Sequence, residues 1–116
     1  MDRRKELKQQ YKEMKPDMGV MIIRSKVSNK CFLQATPNLK GTINGTKFKL
    51  NAGAHPNREL QKDWKELGED RFSIEILAQL EYDKDEAKTD YSEELEILQM
   101  IWEDKLLKQN MELYKK

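Results

Sequence analysis

His55 is the only histidine in a chain of 116 residues, and Pro56 follows it. A lone histidine in that setting more often caps a helix or decorates a surface than takes protons in catalysis. Ser25, Ser28, Ser73 and Ser92 have no other base to activate them, so a nucleophilic triad has little support. Cys31 stands alone, which excludes an intramolecular disulfide and a cysteine-based zinc cluster from this chain's own residues. Its expected role is that of a small, partly buried strand residue. The glycines form no phosphate-cradling loop, and the acids lack calcium-loop spacing.

What remains is charge and its distribution. The formal net charge is only +1, yet acids and bases are segregated. Between Asp17 and Glu59 there is no acid, while Arg24, Lys26, Lys30, Lys40, Lys47, Lys49 and Arg58 give that block a formal charge of +7. From Glu81 to Asp104 ten acids face only Lys84 and Lys88, a formal charge of −8. A basic block is a candidate phosphate-binding surface, although solvated lysines need no ligand. The acidic run could attract a divalent cation, but such runs are usually solvated faces.

These residues have to be positioned by a chain that is 37% charged and 37% hydrophobic, which suits one well-solvated globular domain spanning residues 1–116. The N-terminus MDRRKELKQQ is charged where a secretory signal needs an apolar core, and no run approaches the roughly twenty apolar residues of a membrane helix. A cytoplasmic location and no membrane partner are therefore expected. Leu7, Tyr11 and Met14 predict a narrow amphipathic helix within residues 1–16, ending before Pro16.

Val20 to Ile23 and Cys31 to Leu33, separated by Ser28-Asn29-Lys30, predict a β-hairpin. Thr36-Pro37 reads as the start of a helix carrying Leu39, Ile43 and Leu50 on one side. Gly41 and Gly45 weaken that helix and call for a close backbone approach, by the hairpin in preference to a ligand. A second helix begins near Pro56-Asn57, buries Leu60, Trp64 and Leu67, and stops at Gly68. Phe72, Ile74 and Ile76 alternate as a strand. The last helix, 91–114, carries Leu95, Leu98, Trp102, Leu106 and Leu113 on one face, widened by Ile97 and Ile101. The order α-β-β-α-α-β-α predicts an α+β fold with a small, mostly antiparallel three-stranded sheet flanked by helices.

Gly19-Val20-Met21 followed by Cys31-Phe32-Leu33-Gln34 resembles the paired "GIY" and "YIG" strands of the GIY-YIG nuclease family. Pro37-Asn38-Leu39-Lys40, the run from His55-Pro56-Asn57 to Trp64, and Leu67 through Phe72 resemble its downstream helices and third strand. The resemblance covers residues 17 to 106 and rests on ordered spacing. It implies a metal-dependent endonuclease fold in which tyrosines activate water, an arginine stabilises phosphate charge and a glutamate holds the metal.

At those positions this sequence departs from the family. The two tyrosine positions fall at Met21 and Phe32, the second glycine at Gln34, the arginine at Thr42, a common histidine at Thr46, and the glutamate at Gln99. None supplies the acid-base, guanidinium or anionic group required. The resemblance therefore implies a non-catalytic nuclease-like domain with no bound metal, contacting DNA or RNA weakly through Arg24, Lys26, Lys40, Lys47, Lys49 and Arg58. One alternative is an active nuclease using magnesium or manganese at a relocated site built on Glu96 or Glu103. Another is an interaction module whose acidic last helix or N-terminal stripe docks a partner protein or a second copy.

Overall fold

The computed structural model describes residues 15–85 and 87–114. The expected helix within residues 1–16 lies almost wholly outside them. The chain builds β1 (Met18–Ser25), β2 (Lys30–Thr36), α1 (Leu39–Ala52), α2 (Arg58–Leu67), a 3-10 turn (Glu69–Arg71), β3 (Phe72–Leu80), α3 (Ser92–Lys108) and β4 (Glu112–Leu113). The sheet order is β3-β1-β2-β4.

β1 pairs antiparallel with both β2 and β3. Its apolar run is continuous because helices cover both of its faces, so no position needs to be polar. Met21 and Ile23 point to a core containing Leu39, Leu50, Leu60, Trp64, Phe72 and Tyr114. Val20 and Ile22 point the other way, to Cys31, Leu33 and Leu106. At Gly19 the neighbouring strand comes so close that an added Cβ would stand 2.0 Å from the Ala78 carbonyl oxygen. A register shift between Val20 and Met21 follows directly.

The sheet has four strands and is mixed, which corrects the three-stranded, mostly antiparallel expectation. Helix α3 stops at Lys108 instead of running on to residue 114. Asn110 adopts a left-handed backbone, φ 66°, and turns the chain back along β2. Lys30 and Cys31 then pair in parallel with Glu112 and Leu113. Tyr114 follows, its amide donating to the Cys31 carbonyl and its hydroxyl to the Asp63 carboxylate at 2.9 Å. Leu113 falls at helical spacing from Leu106, so the periodicity concealed the break.

Capping also differs in detail. Thr36 closes β2, and the cap of α1 is Asn38, whose Oδ1 accepts from the Gly41 amide. Asn57 caps α2, accepting from Leu60, and Gly68 ends that helix, as expected, at φ 89°. The hairpin does not pack on the α1 glycines. The atoms nearest to a Cβ at Gly41 belong to the Asn38 side chain, and one at Gly45 would meet no atom within 4 Å. Ile97 and Ile101 are exposed rather than part of the α3 packing face, and Trp102 is half-buried at the edge of the second core.

Trp64→Ala should lower the unfolding free energy by about 3–5 kcal/mol, since the indole is buried against Phe72 and donates to Asn51. Gly19→Ala should cost about 1–3 kcal/mol through the clash with β3. Urea denaturation of the two variants beside Trp102→Ala checks both values; the half-buried Trp102 should cost less than Trp64.

Candidate functional site

The outer half of β2, the face of α1 at residues 38, 41, 42, 45, 46 and 49, and the loop at His55-Pro56 enclose a cleft of about 570 Å³. Strand alternation turns Phe32 and Gln34 toward it while Cys31 and Leu33 go to the opposite core. A second hollow adjoins it through His55 and is lined by Gly53, Ala54, Arg58, Gln61, Lys62 and Lys65. No carboxylate lines either hollow. Lys49, Arg58, Lys62 and Lys65 supply four cations, and none forms an ion pair with a described residue.

His55 sits between the two hollows and is held from several sides. Its amide donates to Gln61 Oε1, whose side-chain nitrogen in turn donates to the Leu50 carbonyl, so one glutamine staples the α1–α2 loop. The Asn57 amide donates to His55 Nδ1 at 3.0 Å, which leaves the proton of the neutral ring on Nε2. The Phe32 ring meets the imidazole edge-on at 5.3 Å. Burial, and then the Lys49 charge, hold the imidazole below its ordinary pKa. His55 at neutral pH is thus a fixed hydrogen-bond donor.

The family positions fare differently from one another. Phe32, Gln34, Thr42 and Thr46 all line the cleft. Met21 is fully buried in the core and touches no cleft. The Thr42 hydroxyl is 2.6 Å from that of Thr36, a hydrogen bond that ties α1 to the end of β2. Gln99 lies on α3, against the outer edge of β2 beyond the reach of β4. There it accepts from the Ala35 amide at 2.9 Å and donates to the Leu33 carbonyl at 3.4 Å. Its amide serves a strand edge that would otherwise be unpaired.

Among the basic residues singled out by sequence, Lys49 and Arg58 come together at the paired hollows. Arg24 belongs to the opposite face, its guanidinium 4.0 Å from the Met111 sulfur and its Nε buried without a partner. Lys47 is paired with Glu69 and Lys30 with Glu59, each at 2.8 Å. Lys26 and Lys40 are exposed and line neither hollow. Lys62 and Lys65 were missed by the acid-free block because Glu59 and Asp63 interrupt it. Helical spacing places both on one face with Arg58, opposite Leu60 and Trp64.

Magnesium and manganese prefer several oxygen donors that include carboxylates. The cleft's donors are neutral amides and hydroxyls, and no group of three His, Cys, Asp or Glu among the described residues could hold a metal ion. These residues do not fit such a cation. Glu96 is exposed on α3. Burial pushes the Cys31 thiol up and the charge of nearby Glu103 adds to it, which places Glu103 by the core opposite Phe32. No helix among the described residues is long and apolar enough to cross a membrane.

Because folding depresses the His55 pKa, the neutral ring is favoured in the native state. Stability should be fully present above the ordinary value of about 6.5, and should be lost as the pH falls from there through the folded value. Urea midpoints at pH 7.5 and 5.5, for the wild type and His55→Gln, check this as a shallower dependence in the variant.

No protein-family model and no curated protein matches the sequence. Two solved structures match the fold, both of the catalytic domain of the homing endonuclease I-TevI. One is at 19% identity with a TM-score of 0.66, covering 85% of this chain and 99% of that one. The other, an alanine mutant of the same intron endonuclease domain, is at 18% identity with a TM-score of 0.65, covering 85% and 92%. At that identity the likeness speaks for backbone architecture alone, and by it the protein has a GIY-YIG-like fold.

Proposed function

We propose that the protein is a non-catalytic nuclease-like domain that binds nucleic acid without sequence preference, holding phosphates at Lys49, Arg58, Lys62 and Lys65. The observation that carries this reading is the pair of adjoining hollows with four cations unpaired by any described residue, one fixed imidazole donor and no carboxylate in the lining. Phosphate oxygens accept such donors whatever the base sequence. The domain that shares the fold is by name the catalytic domain of an endonuclease, which makes a nucleic-acid chain the natural occupant.

Hydrolysis of a phosphodiester needs an activated water, a cation at the scissile phosphate and charge stabilisation on its oxygens. Phe32 has no hydroxyl, the Thr42 hydroxyl is engaged with Thr36, and Gln99 is spent on the β2 edge. A relocated site on Glu96 or Glu103 would lie on α3, away from the hollows that collect the positive charge. A second reading, an interaction module, draws on one observation: Ile97, Met100 and Ile101 are exposed together on α3. Sedimentation without nucleic acid separates the two, since only the interaction reading expects a stable oligomer.

Binding to labelled duplex DNA should weaken with salt at a log–log slope of about −3 to −4, the value for four phosphate contacts. Each of Lys49→Ala, Arg58→Ala and Lys62→Ala should reduce that slope by about one, whereas Arg24→Ala should leave it unchanged. Incubation with supercoiled plasmid and magnesium or manganese should give no nicking. Nicking that survives purification and disappears in Glu96→Gln or Glu103→Gln would overturn the non-catalytic reading.

A further inference from the structure

Phe48 is the most exposed large apolar side chain among the described residues, at 75%. Its surroundings are unlike those of a protein-docking anchor, which sits within a contiguous apolar patch. The residues one turn away on α1 are Asn44, Gly45, Asn51 and Ala52, all small or polar. The ring therefore stands alone, on the strip of α1 that borders the cleft.

The direction of the ring matters. Helical side chains lean toward the N-terminus, over the residues three and four positions earlier. For Phe48 that is the turn of Asn44 and Gly45. Gly45 lines the cleft, and a Cβ built there would meet no atom within 4 Å, so the helix surface at Gly45, one turn before Phe48, is open. Lys49 follows immediately and lines the cleft. Flat aromatic surface, an unobstructed approach and an adjoining cation are the parts from which single-strand binding sites are made.

We propose that the cleft takes single-stranded nucleic acid, with one unpaired nucleobase stacked on Phe48 while the backbone runs past Lys49 toward Arg58. This rests on the phosphate-binding reading above and adds the class of nucleic acid to it. A base within a duplex has both faces covered by its neighbours and cannot offer one to a side chain. Phosphates are present in both forms. The cations thus serve duplex and single strand alike, and Phe48 adds affinity only for the unpaired strand. A glycine at position 45 keeps the space above it clear at a cost in helix stability, and no described residue packs there to require it.

The experiment is fluorescence anisotropy at low salt with labelled oligothymidine, oligouridine and a blunt-ended two-strand duplex of matching phosphate number. Phe48→Ala should weaken single-strand binding by roughly five- to a hundredfold and leave duplex binding unchanged. Phe48→Trp should restore it, and Gly45→Gln should lower it by occupying the space. The exposed position and the helix preference of alanine keep Phe48→Ala folded. A 2-aminopurine in the strand should be quenched by the wild type and not by Phe48→Ala. If both forms of nucleic acid bind equally and Phe48→Ala alters neither, the stacking site is refuted while the phosphate reading stands. If neither form binds at low salt, the phosphate reading fails and this inference with it.

Discussion

Every part of this molecule is organised by β1, which is hydrogen-bonded along both edges and covered on both faces. A strand in that position can carry no charge within its buried run and cannot shift its register by one residue without exchanging its two cores. Gly19 tightens the constraint, because β3 passes where any side chain would be. The two faces of the sheet are therefore fixed in opposition. One receives α1 and α2, and the other receives α3.

That opposition separates the charges as well as the cores. The hollows with their unpaired cations belong to the α1–α2 side, while the acidic last helix lies across the sheet from them. The sheet stands between that basic side and the acids of α3. The same arrangement explains why Gln99 cannot take part in chemistry at the cleft. Its amide is bonded to two backbone groups of β2 at the place where β4 ends, and a carboxylate there could accept from Ala35 but could not donate to Leu33.

His55 shows how much of a site is made by neighbours that carry no chemistry of their own. Asn57 sets its tautomer, Gln61 holds its loop and Phe32 presses on its edge. The aromatic ring of Phe32 is thus a packing partner for the imidazole. The hydroxyl that a tyrosine would carry has no counterpart there.

The hairpin, the two middle helices with the Gly68 stop, the third strand and the segregation of charge were legible in the sequence, although Leu67, expected to be buried, is exposed. Each of those is written in local periodicity or turn chemistry, which act over a few residues. Family resemblance grouped Met21, Phe32, Gln34, Thr42, Thr46 and Gln99; the fold puts Phe32, Gln34, Thr42 and Thr46 along one cleft, Met21 in the core and Gln99 on the β2 edge. Tertiary structure alone decided the rest. A two-residue β4 exists only because β2 offers it an edge. Arg24 is turned away because alternation along β1 assigns it the opposite face. Lys47 is neutralised by Glu69, distant in sequence. Lys62 and Lys65 join the basic face because α2 packs its apolar side inward. Position 45 is open because the hairpin that could have covered it faces α1 only across a cleft. Those outcomes depend on which surfaces meet, and a linear pattern of residue types does not contain that information.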